Sequence, residues 1–224
     1  MSSRKAAVVA GVGLLIMTIS WLLSDFFVFQ RLIESEDATL TANNIREYST
    51  QFRLGILALL IVLLCDLVVA WALYVFLKPI NQNLSLLAAW GRLVYSILLG
   101  IALLNYLDVL QLLSNANYLK IFDTNQLNAD VMLSIDAFYN DWNFALVFFG
   151  FHLVLLGYLA FKSNYIPKFI AILLALAGIS YLIDYLGKIL FPDFEATVSL
   201  LLGWGELIFM FWLLIKGRKI QISI

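Results

Sequence analysis

Long apolar runs separated by shorter polar stretches dominate the chain. An α-helix rises about 1.5 Å per residue and the hydrocarbon core of a bilayer is about 30 Å thick, so one span needs roughly 20 apolar residues. Six segments meet that length: 6–29, 52–77, 86–113, 142–161, 166–190 and 196–215. A lone span in lipid can satisfy its backbone polar groups only as a helix. The pattern therefore predicts an all-α, polytopic six-transmembrane-helix bundle, a single integral membrane domain over residues 1–224. Arg4 and Lys5 before the first run imitate a signal peptide, but the run is too long for such a segment and no small-residue cleavage site follows it. It reads as a permanent helix.

Composition supports this reading. Of 224 residues, 63% are hydrophobic and only 13% charged, against about 45–50% and 25% in ordinary soluble domains. A formal net charge of −1 gives no global attraction to nucleic acid. The single cysteine, Cys65, excludes an internal disulfide framework and a cysteine-based metal centre. No cofactor or metal site is expected.

Charge asymmetry predicts the orientation. The N-terminal tail, the connections after the second and fourth spans and the C-terminus carry Arg4, Lys5, Lys78, Arg92, Lys162, Lys168, Lys216, Arg218 and Lys219, with no acid among them. The opposite side holds most of the acids, including Glu34, Glu36, Asp37, Asp123, Asp130, Asp193 and Glu195. The positive-inside rule places both termini in the cytoplasm, so the two long connections, 30–51 and 114–141, lie outside. In the second of these, Asp123 and Gln126 have capping-box spacing. Leu127, Val131, Ile135 and Phe138 then form an apolar stripe. Two readings fit: a short helix resting on the outer leaflet, or a lid over an outward-facing cavity.

The informative residues are the ionisable ones inside the spans: Asp25, Asp66, Asp108, His152, Asp184 and Glu206. Five carboxyls without partner or water would cost on the order of 10 kcal/mol even on the lenient insertion scale. Counted from the outer ends of the helices, Asp25 lies near the boundary and Asp108 and Asp184 roughly 8 Å deep. His152 lies about 13 Å, Glu206 about 15 Å and Asp66 about 18 Å deep. The set describes a polar funnel open to the outer face, lined by Asp66, Asn105, Asp108, His152, Tyr181, Asp184 and Glu206. By this count nothing basic lies at the depth of Asp66 and Glu206. Duller readings stand beside the funnel: Asp184 pairing with Lys188 one turn on, Asp25 sitting in headgroup water, and His152 making a lone interhelical hydrogen bond.

Ala171, Ala175 and Gly178 on the fifth span have small-xxx-small spacing, and Gly150 with Gly157 line the fourth span around His152. Such positions let helices approach closely and argue for a tight bundle. Spans two to three and four to five also read as two similar hairpins. That alignment sets Asn105-Tyr106-Leu107-Asp108 beside Tyr181-Leu182-Ile183-Asp184 and Asp66 opposite His152.

The segment from Phe148-Phe149-Gly150-Phe151-His152-Leu153 through Gly157-Tyr158-Leu159, with Lys162-Ser163 and Ile166-Pro167-Lys168, is distinctive. So are Gly178 with Tyr181-Leu182-Ile183-Asp184, Gly205-Glu206-Leu207, and Trp212 through Gly217. With Arg4-Lys5-Ala6 at the start, these resemble the bacterial multi-pass membrane family known as domain of unknown function 4386. The resemblance is strongest in spans four to six and implies six helices in a bacterial inner membrane. It supplies no activity, and Asp66 falls outside the segments that carry it.

Three functions follow as expectations. The first is binding or transport of a small cationic or amphiphilic ligand from the outer side, in contact with membrane lipid and with a homo-oligomer as the working unit. The second is an accessory or structural membrane protein whose polar residues stitch helices together. The third is an intramembrane acid–base hydrolase using His152 with Glu206 or Asp66.

Overall fold

The computed structural model describes residues 1–114, 116–191, 193–195 and 197–220. Its helices are α1 (Ser3–Leu32), α2 (Ala38–Glu47), α3 (Ser49–Leu77), α4 (Gln82–Leu112), α5 (Thr124–Lys162), α6 (Lys168–Leu190), α7 (Val198–Leu202) and α8 (Gly205–Lys216). Six of the helical stretches, with α7 and α8 counted together, are long and apolar enough to cross a membrane.

Three boundaries differ from those predicted. The predicted outer-leaflet helix does not stand alone: α5 runs unbroken for 39 residues, about 58 Å of helix, so the segment is an extension of the fourth span. The capping box forms, since the Asp123 backbone N–H donates to Gln126 Oε1 at 3.1 Å and Asp123 Oδ1 accepts from Asn125 N–H at 2.7 Å. The stripe that follows is packed rather than spread on lipid, with Val131, Ile135 and Phe138 all buried. The sixth span is broken between α7 and α8 at Gly203 and Trp204. Ala196, its predicted first residue, lies outside the described residues. Finally, α1 relaxes into a π-helical turn at Asp25–Phe29 before its last turn.

The chain divides into two compact units. One comprises Met1–Met17, Leu64–Ile97 and the described residues of Asn143–Ile224. Small residues set its packing. A Cβ on Gly157 would lie 2.6 Å from the Ala175 backbone nitrogen, and one on Gly178 would lie 2.6 Å from that of Val154 and 2.7 Å from the Gly150 carbonyl oxygen. The α5 and α6 backbones thus touch along the predicted small-residue stripe, the geometry that brings membrane helices together without a hydrophobic driving force. A Cβ on Gly205 would collide with the Leu173 carbonyl oxygen, so α8 begins against the α6 backbone. Gly11 on α1 faces Leu213 and Leu214 on α8, and the Arg4 Nε donates to the Ile220 carbonyl at 2.7 Å.

The other unit comprises Thr18–Leu63 and the described residues of Leu98–Trp142. Its core is aromatic. Phe29, Phe52, Tyr106 and Phe138 are buried, with Tyr106 stacked on Phe138 at 4.0 Å and Phe29 at 4.6 Å from Tyr106. The short helix α2 is capped by Asp37, whose Oδ1 accepts from the Leu40 N–H at 2.8 Å. Arg46 Nη2 then donates to Asn128 Oδ1 at 3.0 Å, tying α2 to α5.

Candidate functional site

The deepest polar residues of the first unit meet at one side chain that the depth count misplaced. Arg92 sits ten residues after Gln82, the first residue of α4, or about 15 Å along the helix. It is fully buried. Its Nε donates to Asp66 Oδ1 at 2.7 Å from α3, and its Nη1 donates to Glu206 Oε1 at 2.5 Å from the first turn of α8. Nη1 also donates to His152 Nε2, at 3.2 Å, from α5. Met17 Sδ of α1 lies 3.9 Å from Nη2. A basic residue therefore does stand at the depth of Asp66 and Glu206. The charge tally counts Arg92 with the loop cations although residue 92 lies inside the predicted 86–113 span, and the helix begins earlier still, at Gln82. The available signal was a lone guanidinium between apolar stretches, Ala88-Ala89-Trp90 before and Leu93-Val94 after.

The histidine's state follows from its partners. Nδ1 lies 2.8 Å from the Ala88 carbonyl oxygen, which can only accept, so the ring proton is on Nδ1. Nε2 then accepts from Arg92, leaving the imidazole neutral. The cluster formally holds two carboxylates against one guanidinium. Asp66 Oδ2 is buried and has no hydrogen-bond partner among the described residues. Asp66, Arg92 and His152 are essentially inaccessible, while the Glu206 side chain keeps 18% of its surface exposed.

Aromatic rings border the cluster. The Arg92 guanidinium carbon lies 5.6 Å from the Phe149 ring centroid. Tyr181 meets Phe149 edge-on at 5.3 Å, and Tyr95 lies 4.9 Å from it. Tyr181 also stacks on Tyr185 at 5.7 Å.

The remaining predicted residues sit elsewhere. Asp184 is fully buried, but its partner is not Lys188. Its two oxygens accept from the Val198 and Ser199 backbone N–H groups at 3.2 and 2.6 Å and so hold the start of α7. Lys188 is exposed and lies 5.6 Å from the Tyr185 ring centroid. Asn105 belongs to the second unit, where its Nδ2 donates to Asp141 Oδ2 at 2.9 Å. Asp108 is exposed, whereas its counterpart in the suggested repeat, Asp184, is buried, so the two aspartates do not share an environment. Asp25 accepts from Gln30 Nε2 at 2.7 Å. A cavity of about 440 Å³ opens between Ser3, Tyr74, Lys78 and Gln82, apart from all seven predicted residues.

Helices of this length and apolarity, with Asp66, Arg92 and Glu206 ion-paired in the interior of a packed unit, define a multi-pass helical membrane protein. Within that class the chain belongs to the family described as Domain of unknown function (DUF4386), whose model matches residues 9–217. The match includes Asp66, which the sequence resemblance alone had left outside. The chain is also 33% identical over 167 residues to an uncharacterized protein of Archaeoglobus fulgidus, covering 75% of this chain and 86% of that one. No solved structure matches it.

Proposed function

We propose that this protein is a membrane-embedded binding protein for a small cation, taken at Asp66, Arg92, His152 and Glu206, with both termini cytoplasmic. The observation that carries the reading is the charge count. A fully buried and a mostly buried carboxylate share one guanidinium, and Asp66 Oδ2 has no hydrogen-bond partner among the described residues. An uncompensated charge in a low-dielectric interior costs several kcal/mol, so a further positive charge at this point is stabilised in proportion. Glu206 is the member with exposed surface and is the group an arriving cation meets first. Arg92 is the resident cation with which the ligand shares it.

The orientation rests on the basic residues at one set of helix ends. With Arg92 assigned to the interior, Arg4, Lys5, Lys78, Lys162, Lys168, Lys216, Arg218 and Lys219 still lack acidic company in their segments. A hydrolytic role for His152 is less well supported, because both of its ring nitrogens are engaged and neither is free to take a proton from water. The accessory reading has one observation in its favour: Arg92 draws side chains of α1, α3, α5 and α8 together.

A thermal-stability titration in mild detergent separates these readings. Chloride salts of sodium, potassium, methylammonium and methylguanidinium are added at constant ionic strength to the wild type and to Glu206→Gln and Asp66→Asn. At least one salt is expected to raise the wild-type midpoint saturably, since a ligand at a hundred times its Kd adds about 2.7 kcal/mol to the folded state. The effect is expected to vanish in both variants. A wild type that responds to every salt no differently from the variants overturns the binding role and leaves the cluster as a helix stitch.

A further inference from the structure

We propose that the cavity between α1, α3 and α4 binds a phospholipid of net negative charge, its phosphate meeting Lys78 and an acyl chain lying along the exposed face of α3. The proposal is independent of the cation reading, since it uses none of Asp66, Arg92, His152 and Glu206. The space is about 440 Å³, lined by Ser3, Tyr74, Val75, Lys78, Pro79 and Gln82, and sites for small molecules span about 300–1,000 Å³.

The chemistry of the lining selects an anion. Lys78 is exposed, and its Nζ has no hydrogen-bond or ion-pair partner among the described residues. Lys168 differs, because its Nζ donates to the Phe161 and Ser163 carbonyl oxygens. No described acid lines the cavity. Along α3 the nearest is Asp66, twelve residues or about 18 Å away, and it is paired with Arg92. The α1 sequence has no acid before Asp25, and that of α4 none before Asp108. Ser3 and Gln82 add a hydroxyl and an amide that can donate to phosphate oxygens. The walls are held in place from behind: the Tyr74 carbonyl accepts from the Lys78 N–H at 2.8 Å and from the Ser85 Oγ at 3.0 Å, which pins the start of α4 to the end of α3.

The face of α3 that leads into the cavity makes the anion a lipid. Leu64, Val68, Trp71, Val75 and Lys78 follow one another at spacings of four and three, and so share one side of the helix. Leu64, Val68 and Trp71 are exposed and Val75 is partly so. This apolar strip ends about 10 Å beyond Trp71 at a lysine beside a cavity, the order of parts in an acyl chain and its headgroup. A zwitterionic lipid carries its own ammonium to Lys78 and loses part of the attraction. An anionic one does not.

Native mass spectrometry in mild detergent tests the proposal, with phosphatidylglycerol, phosphatidylcholine and water-soluble glycerol 3-phosphate added in turn. The first phosphatidylglycerol is expected to be held about fivefold more tightly than the first phosphatidylcholine, the effect of about one lysine charge at an anionic headgroup. Lys78→Gln is expected to abolish that preference and Lys78→Arg to keep it. Lys162→Gln, which removes an exposed lysine outside the cavity, is expected to leave it unchanged. Equal binding of the two lipids to the wild type overturns the proposal. A preference that survives in Lys78→Gln places the lipid elsewhere and overturns the site. Glycerol 3-phosphate bound as tightly as phosphatidylglycerol overturns the lipid as occupant.

Discussion

Arg92→Leu is expected to be the most damaging single substitution in the first unit, costing about 3–5 kcal/mol of stability. The loss is not mainly that of two attractive contacts. It arises because Asp66, fully buried, and Glu206, mostly buried, stay behind without their counter-charge. His152 Nε2 loses its donor in the same step. The same physics predicts a compensation. Arg92→Leu combined with Asp66→Leu and Glu206→Leu removes every member of the ion-pair set, and such replacements by packed apolar residues are neutral or stabilising by about 1–4 kcal/mol. Denaturant or thermal unfolding of the single and triple variants in one detergent checks both. A single variant as stable as the wild type means that the carboxyls do not depend on Arg92.

The second large effect is expected where helix backbones touch. Gly178→Ala places a methyl 2.6 Å from the Val154 nitrogen and 2.7 Å from the Gly150 carbonyl oxygen; Gly157→Ala places one 2.6 Å from the Ala175 nitrogen and 2.9 Å from its Cα. In both cases the obstacle is main chain, so α5 and α6 must separate. Overpacking of this kind costs about 1–3 kcal/mol, and occasionally more. Gly100→Ala is the control: its methyl would meet the Leu63 Cδ1 at 3.0 Å, the far end of a flexible side chain that can turn aside. Unfolding midpoints should fall clearly for Gly178→Ala and Gly157→Ala and change little for Gly100→Ala. Equal effects at all three positions contradict the α5–α6 contact.

These two predictions mark where the fold was readable in the amino-acid order and where it was not. Span length and the need to satisfy backbone polar groups made the six helical stretches legible. The small residues announced close helix approach, which the α5–α6 contact realises, and Asp123 with Gln126 announced a helix start, which is that of α5. What stayed hidden has a common cause. A membrane helix is apolar on its lipid side as well as its packed side, so hydrophobic period cannot say which face a polar residue occupies. Asp108 and Asp184 sit in similar apolar strings, yet the first is exposed and the second caps α7 from a buried position.

Arg92 was missed for a related reason. A basic residue toward the end of a predicted span reads as a loop cation when charges are only assigned to sides, and Arg92 in fact lies about 15 Å inside the helix that starts at Gln82. Of the seven residues proposed for the polar funnel, Asp66, His152 and Glu206 converge on one guanidinium. The break in the sixth span had a local sign in Gly203-Trp204-Gly205, but two glycines around a tryptophan in an apolar run do not by themselves distinguish a break from close packing.

The central claim is that Asp66 and Glu206, held around Arg92, take one exogenous cation. Native mass spectrometry tests it by counting. The wild type released from mild detergent in the presence of methylguanidinium is compared with the Asp66→Asn, Glu206→Gln double variant under the same conditions. One bound cation per chain in the wild type and none in the double variant is the predicted result. Equal occupancy in the two proteins, or a clean ligand-free mass for both across sodium, potassium, methylammonium and methylguanidinium, contradicts it.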